Sequence, residues 1–288
     1  MKVAAECVPC LLRRTLYETR LVDPSKERAV MAAALDILAR RFGHHPISTD
    51  LATEVHLRTY SILGTSDPYA EQKGRANAAA RRLLPMARDI IDSADDRLEA
   101  AVTVSVVGNV LDFGIAGGLD DPSQFEGRFL ALCGEGLGAS DMEEIRGMIH
   151  RGSRVPFLTD NCGEIVLDAL LVEELVRIGC NIDVVVKGGP MLSDATTEDA
   201  LEARLDRIAS RILTTGTAFV GLDPGALPVD TREALMRADL IISKGMGNFE
   251  ALTEMDLPPV AYLMRTKCAP VSEEAGVPIN VNAAFLRR

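Results

Sequence analysis

Val155-Pro156-Phe157-Leu158-Thr159-Asp160-Asn161-Cys162-Gly163-Glu164 is a short apolar run that stops on two polar residues and a glycine. A helical pattern follows from Glu164 to Ile178, and then a second apolar run, Ile182-Asp183-Val184-Val185-Val186. Strand, helix and strand in that order predict a parallel sheet with helices on both faces. The alternation continues outward toward the C-terminus. Ala218 to Leu222 reads as a third strand, Leu240 to Ser243 as a fourth and Pro259 to Met264 as a fifth, with helical patterns at Glu198 to Leu213 and Thr231 to Arg237.

Toward the N-terminus the pattern is helical. Asp23-Pro24 and Asp67-Pro68 are each an acid followed by proline, a helix start signal. Val30, Met31, Leu35, Leu38 and Phe42 recur at helical spacing, with Gly43 as a stop. Pro85 should kink the helix it sits in or open a new one, and Leu98 to Val110 is apolar enough for a buried helix. We divide the chain into a helical N-terminal region, residues 1–115, and an α/β core, residues 116–288. The transition falls between about Gly114 and Arg154.

The net charge of −11 makes nucleic acid and anionic lipid poor partners. It leaves room for a phosphate-bearing ligand, because a bound cation and a few lysines invert the local field. No uninterrupted apolar run reaches about 18 residues, so no membrane span is expected. The start of the chain, broken by Glu6 and then Arg13-Arg14, does not read as a secretion signal. A cytoplasmic protein with reduced thiols is the expectation. Oligomeric state has no signature in the sequence.

Ligands of an open parallel sheet gather at the carboxyl ends of its strands. Those ends carry Asp160-Asn161-Cys162-Gly163-Glu164, then Lys187-Gly188-Gly189-Pro190 with Ser193-Asp194-Ala195-Thr196, then Lys244-Gly245-Met246-Gly247-Asn248-Phe249-Glu250, and then Arg265-Thr266-Lys267-Cys268. Each has a plain alternative. Asp-Asn and Asp194 also serve as turns and helix caps, and the glycines also serve positive φ. Together they make a different pattern. Two carboxylates and an amide oxygen are hard ligands suited to Mg²⁺ or Mn²⁺, and glycine-flanked amides with Lys244 complement phosphate oxygens. Cys7 and Cys10 are either buried, incidental thiols or half of a metal or redox centre. The four histidines show no ligand spacing.

These strings resemble the metal-dependent damage-control phosphatases, a family once catalogued as a domain of unknown function. It includes acidic-residue methyltransferase-like phosphatases and the C-terminal phosphatase domain of a pantothenate kinase homologue. The match is to the prokaryotic branch with an N-terminal Cys-x-x-Cys. It spans nearly the whole chain: Asp67-Pro68-Tyr69 with Lys73, Gly108-Asn109 with Asp112-Phe113-Gly114, and the strand-end motifs just quoted. Met246 stands where the branch usually has Gln, and Gly189 beside the proline is also unusual; both bear on substrate choice.

The resemblance implies a Rossmann-like core under a helical N-terminal region. It implies Asp160, Asn161 and Asp194 as metal ligands, with Asp160 and Asp194 as catalytic carboxylates. It also implies substrate-phosphate contacts from Lys244, Gly245, Gly247, Asn248, Arg265 or Lys267, Glu164 and Asn109. The implied cofactor is a divalent cation, Mn²⁺, Mg²⁺, Co²⁺ or Ni²⁺. The implied reaction is hydrolysis of phosphomonoesters of small metabolites, sugar phosphates or phosphopantetheine-like compounds, with water or an Asp carboxylate attacking. The rival readings are a phosphometabolite- or nucleotide-binding protein without turnover, and a zinc or redox protein centred on Cys7 and Cys10.

Overall fold

The computed structural model describes residues 1–110 and 123–288. Asp112-Phe113-Gly114 and the division at residue 115 lie outside the described residues. Among the described residues, α1 (Cys7–Val22), α2 (Glu27–Arg41), α3 (Ser48–Leu63), α4 (Ala70–Ser93) and α5 (Arg97–Gly108) come first, followed by α6 (Ser123–Gly134), β1 (Ala139–Ser140) and α7 (Met142–Met148). The α/β alternation then runs β2 (Arg154–Leu158), α8 (Glu164–Ile178), β3 (Asn181–Val186), α9 (Thr197–Glu202), β4 (Arg211–Thr214) and α10 (Val229–Met236). It closes with β5 (Ile241–Lys244), α11 (Met246–Leu252), β6 (Val260–Arg265), α12 (Ala269–Ala275) and β7 (Asn282–Arg287).

The seven strands form one sheet in the order β1-β7-β6-β5-β2-β3-β4. Neighbours pair parallel except β6 and β7. Alternate strand residues enter different cores. Phe157, Val184, Val186, Ile242 and Leu263 join the core under α4, α5 and α8, while Leu158, Val185, Ile241 and Tyr262 join the core under α10, α11 and α12. That is the two-residue period of a sheet buried on both faces. The first of these cores is continuous across α4, α5, α8 and the sheet. Helices α1 to α3 add a smaller core of their own around Leu11, Leu38, Leu51 and Val55.

Three local expectations change. Ala218 to Leu222 is not a strand; β4 forms earlier, at Arg211–Thr214, and the helix expected over 198–213 shrinks to α9. Arg211 pairs with Asp183 across β3 and β4 at 2.6 Å, which anchors the new register. The loop after β4 instead turns toward the carboxyl ends of the strands, where the Gly221 carbonyl accepts from Lys187 Nζ. Pro85 leaves α4 uninterrupted. At the end of α2 the left-handed residue is His45, φ 48°, with Gly43 inside a short 3₁₀ turn.

Candidate active site at the carboxyl ends of the strands

Asp160 leaves β2 as the chain turns into α8, whose N-cap Gly163 has φ 78°. The loop after β3 returns alongside it. Ala195 N donates to Asp160 O at 2.8 Å, Cys162 N donates to Ser193 O at 2.8 Å, and Asn161 pairs with Asp194 as an isolated antiparallel bridge. Two loops more than thirty residues apart thereby set Asp160, Asn161 and Asp194 side by side, all three buried.

Their side chains are oriented by a polar network. Asp160 Oδ2 accepts from Asn109 Nδ2 at 2.9 Å and from Asn161 Nδ2 at 2.6 Å. Glu164 Oε2 accepts from the same two amides, each at 3.0 Å. Ser193 Oγ donates to Asn161 Oδ1 at 2.6 Å, which fixes that amide's orientation. Lys187 Nζ lies 3.2 Å from Asp194 Oδ2. Gly245, φ 75°, is required twice over: a Cβ there would lie 2.0 Å from Asp160 Oδ2, and the positive φ is itself glycine's. Leu192 holds φ 52° without that freedom, and its N–H donates to Tyr60 Oη at 3.0 Å.

Oxygen donors of this kind fit a hard divalent cation. Among the described residues no three His, Cys, Asp or Glu side chains gather around one point; here the third donor is an amide. The start of α8 beside Asp160 and Glu164 adds the positive end of a helix dipole, which favours carboxylates there.

A cleft of about 160 Å³ opens above the trio. Its walls include Met246, Gly247 and Lys267 from the sheet side and, from the helical region, Leu11 and Arg14 of α1 with His56 of α3. Leu11, Arg14 and His56 carry no site signal in the sequence, because a helix-forming pattern does not reveal which face will meet a distant loop. His56 is buried against Glu18 at 2.9 Å. Cys7, Cys10 and Cys268 also reach the cleft. Burial pushes the Cys7 thiol up and the Cys268 thiol up to about 11. None of the six cysteines is in a disulfide. A separate cavity of about 540 Å³ takes Asp67 and Lys73 of the sequence motif, paired at 2.6 Å.

Several expected phosphate contacts are placed elsewhere. Lys244 is fully buried, and its ammonium meets Ser105 O at 2.8 Å, Asp168 Oδ1 at 2.6 Å and Glu164 Oε1 at 2.9 Å. Burial disfavours that charge, but the two carboxylates outweigh it and hold the lysine above its ordinary range. Glu164 is a carboxylate enclosed by amides and Lys244, so it orients the trio. Asn109 does the same, its Oδ1 accepting from Arg265 N at 3.3 Å. Asn248 Nδ2 is committed to Thr159 O and Lys244 O, both at 2.9 Å. Arg265 turns to Glu135 at 2.7 Å and Asn282 at 2.9 Å. Of the two competing cations Lys267 is the one at the cleft, donating to Asn109 O. Lys187, also at a strand end, joins the site through Asp194.

The family signature of the damage-control phosphatase ARMT1-like domain matches residues 3–281. The chain is 43% identical over 279 residues to a damage-control phosphatase of Archaeoglobus fulgidus, covering 96% of each chain. It is 30% identical over 282 residues to a damage-control phosphatase of Pyrococcus horikoshii, again covering 96% of each. The crystal structure of a DUF89 family protein from Pyrococcus horikoshii matches over all of both chains with a TM-score of 0.88 at 28% identity. Fold, length and sequence agree, and this chain belongs to the damage-control phosphatase family.

Proposed function

We propose that the protein is a divalent-metal-dependent phosphatase acting on phosphomonoesters of small metabolites, sugar phosphates or phosphopantetheine-like compounds, damaged forms among them. The observation that carries this reading is the convergence of Asp160, Asn161 and Asp194 on the floor of a cleft flanked by Lys267. Mn²⁺, Mg²⁺, Co²⁺ or Ni²⁺ held by these three oxygens would supply positive charge to the phosphoryl group.

The chain's own groups do the rest. Asn109 and Glu164 keep the Asp160 carboxylate and the Asn161 amide in one orientation, so little reorganisation is left for the transition state. Lys187 balances Asp194. The Lys267 ammonium, which lines the cleft and donates to Asn109 O, neutralises charge developing on the phosphoryl oxygens. Water attacks phosphorus as the bond to the ester oxygen breaks, and the proton that the water loses passes to the departing alkoxide.

Phosphate release from a generic phosphomonoester across the four cations tests this. Asp160→Ala should lower release at least roughly 10³-fold and abolish cation binding measured by calorimetry. Full metal-dependent activity in that variant would sink the assignment. Ligand binding with no release under any cation would make this a binding protein.

A further inference from the structure

Above the metal trio the cleft is walled by Leu11, Ala52, Leu192, Val220, Met246 and Pro270. Of the polar side chains on the same wall, Glu6 is exposed at the rim and several deeper ones are engaged with protein. His56 is held by Glu18, and Ser48 donates to Met1 O at 3.2 Å. Glu250, a carboxyl raised by burial, is hydrogen-bonded with Ser48. Arg14 shares a hydrogen bond with Tyr69. What the wall offers a ligand beyond the phosphate is therefore mainly carbon and sulfur surface. A hydroxyl-rich leaving group would surrender its water there and find few partners, whereas methylene and thioether groups gain by burial.

We infer that this cleft selects phosphomonoesters with weakly polar leaving groups over polyhydroxylated ones, and that Met246 and Leu11 are its specificity-determining residues. The inference rests on the phosphatase reading and narrows its substrate class. Met246 opens α11 just after β5 and Leu11 belongs to α1, so the selecting surface is shared between the helical region and the α/β core. Leu11 packs within the core of α1 to α3, which fixes its position; Met246 is half-buried and can adapt.

The test uses two esters of equal carbon number and charge, n-hexyl phosphate and glucose 6-phosphate, with the full chain and its best cation. Hexyl phosphate should have the higher kcat/KM by roughly tenfold or more. Met246→Gln, close in volume but bearing an amide, should cut that ratio by about tenfold, mainly through KM. Leu11→Gln, from the opposite wall, should act in the same direction. Equal or reversed preference in the wild type would overturn the inference, as would an unchanged ratio in both variants. If neither ester releases phosphate under any cation, the phosphatase reading fails. Calorimetric binding of the same two esters then judges the wall by itself: tighter hexyl phosphate supports it and equal affinity overturns it.

Discussion

Lys187 and Lys244 look alike in the sequence. Each ends an apolar run of a parallel strand, and each is followed by glycine. In the structure they serve different regions. Lys187 meets Asp194 at the candidate metal site, while Lys244 lies under it, closing a nest of Ser105, Glu164 and Asp168. Pleat parity separates them. On β5, Lys244 is two residues beyond Ile242 and shares the face that packs on α5 and α8. On the β3 side, Lys187 is two residues beyond Val185, whose face belongs to the opposite core. With a period of two, one residue of offset sends an identical side chain to the other side of the sheet. A strand-end lysine is a site residue on one face and an internal counter-ion on the other.

The largest effect should come from Lys244→Met. It leaves two carboxylates buried without their cation, which costs about 3–5 kcal/mol, read as a lower denaturant midpoint at unchanged slope. Lys187→Met should invert the balance, losing roughly 100-fold in phosphate release with a smaller loss of stability. If Lys187→Met were the less active and the less stable of the two by wide margins, the division of labour would fail.

The pH dependence sharpens the comparison at the nest. Burial raises the Asp168 carboxyl to about 7 against the pull of Lys244, with Glu164 adding to the rise. The folded state therefore holds a proton that the unfolded chain, near the ordinary carboxyl value, does not. Its contribution is fully present below the unfolded value and is lost as pH rises through the folded one. Between about pH 7 and 4 the wild type should gain stability relative to Asp168→Asn as acid is added, measured by denaturant midpoint at each pH. A parallel pair of profiles would refute this.

The smallest effect belongs to the surface. Arg154 hydrogen bonds hold Asp239 down to about 2, so the contribution is present above the ordinary carboxyl value and fades as pH falls through 2. Both side chains are well exposed. Screening keeps the loss in Asp239→Asn below about 1 kcal/mol, within reach of careful thermal melts.

Much of the fold was legible before any coordinate. Phe157, Val184, Val185 and Ile242 belong to short apolar runs that read as buried strands, and α5 is apolar enough to read as a buried helix. β7 was missed because Asn282-Ala283-Ala284 has little intrinsic strand character; it forms by pairing antiparallel along β6, and cross-strand partners outweigh propensity. The Ala218 to Leu222 run misled for the complementary reason, since apolar residues facing a cleft resemble a strand in one dimension. At the site, Gly245 could be marked as a glycine of consequence, but its contact with Asp160 could not.

The amino-acid sequence by itself determined the alternation of helix and strand, the family, and the short list of strand-end residues from which a site could be built. It did so because apolar periodicity and strand-end chemistry are local properties of the chain. Only the tertiary structure decided which of those residues share a cleft. It committed Lys244, Asn248 and Arg265 to other protein groups and left Lys267 at the cleft, and it brought α1 and α3 over Asp160, Asn161 and Asp194. Side-chain direction at a strand end, and the approach of a helix from 150 residues away, depend on pleat parity and packing, which no local pattern encodes.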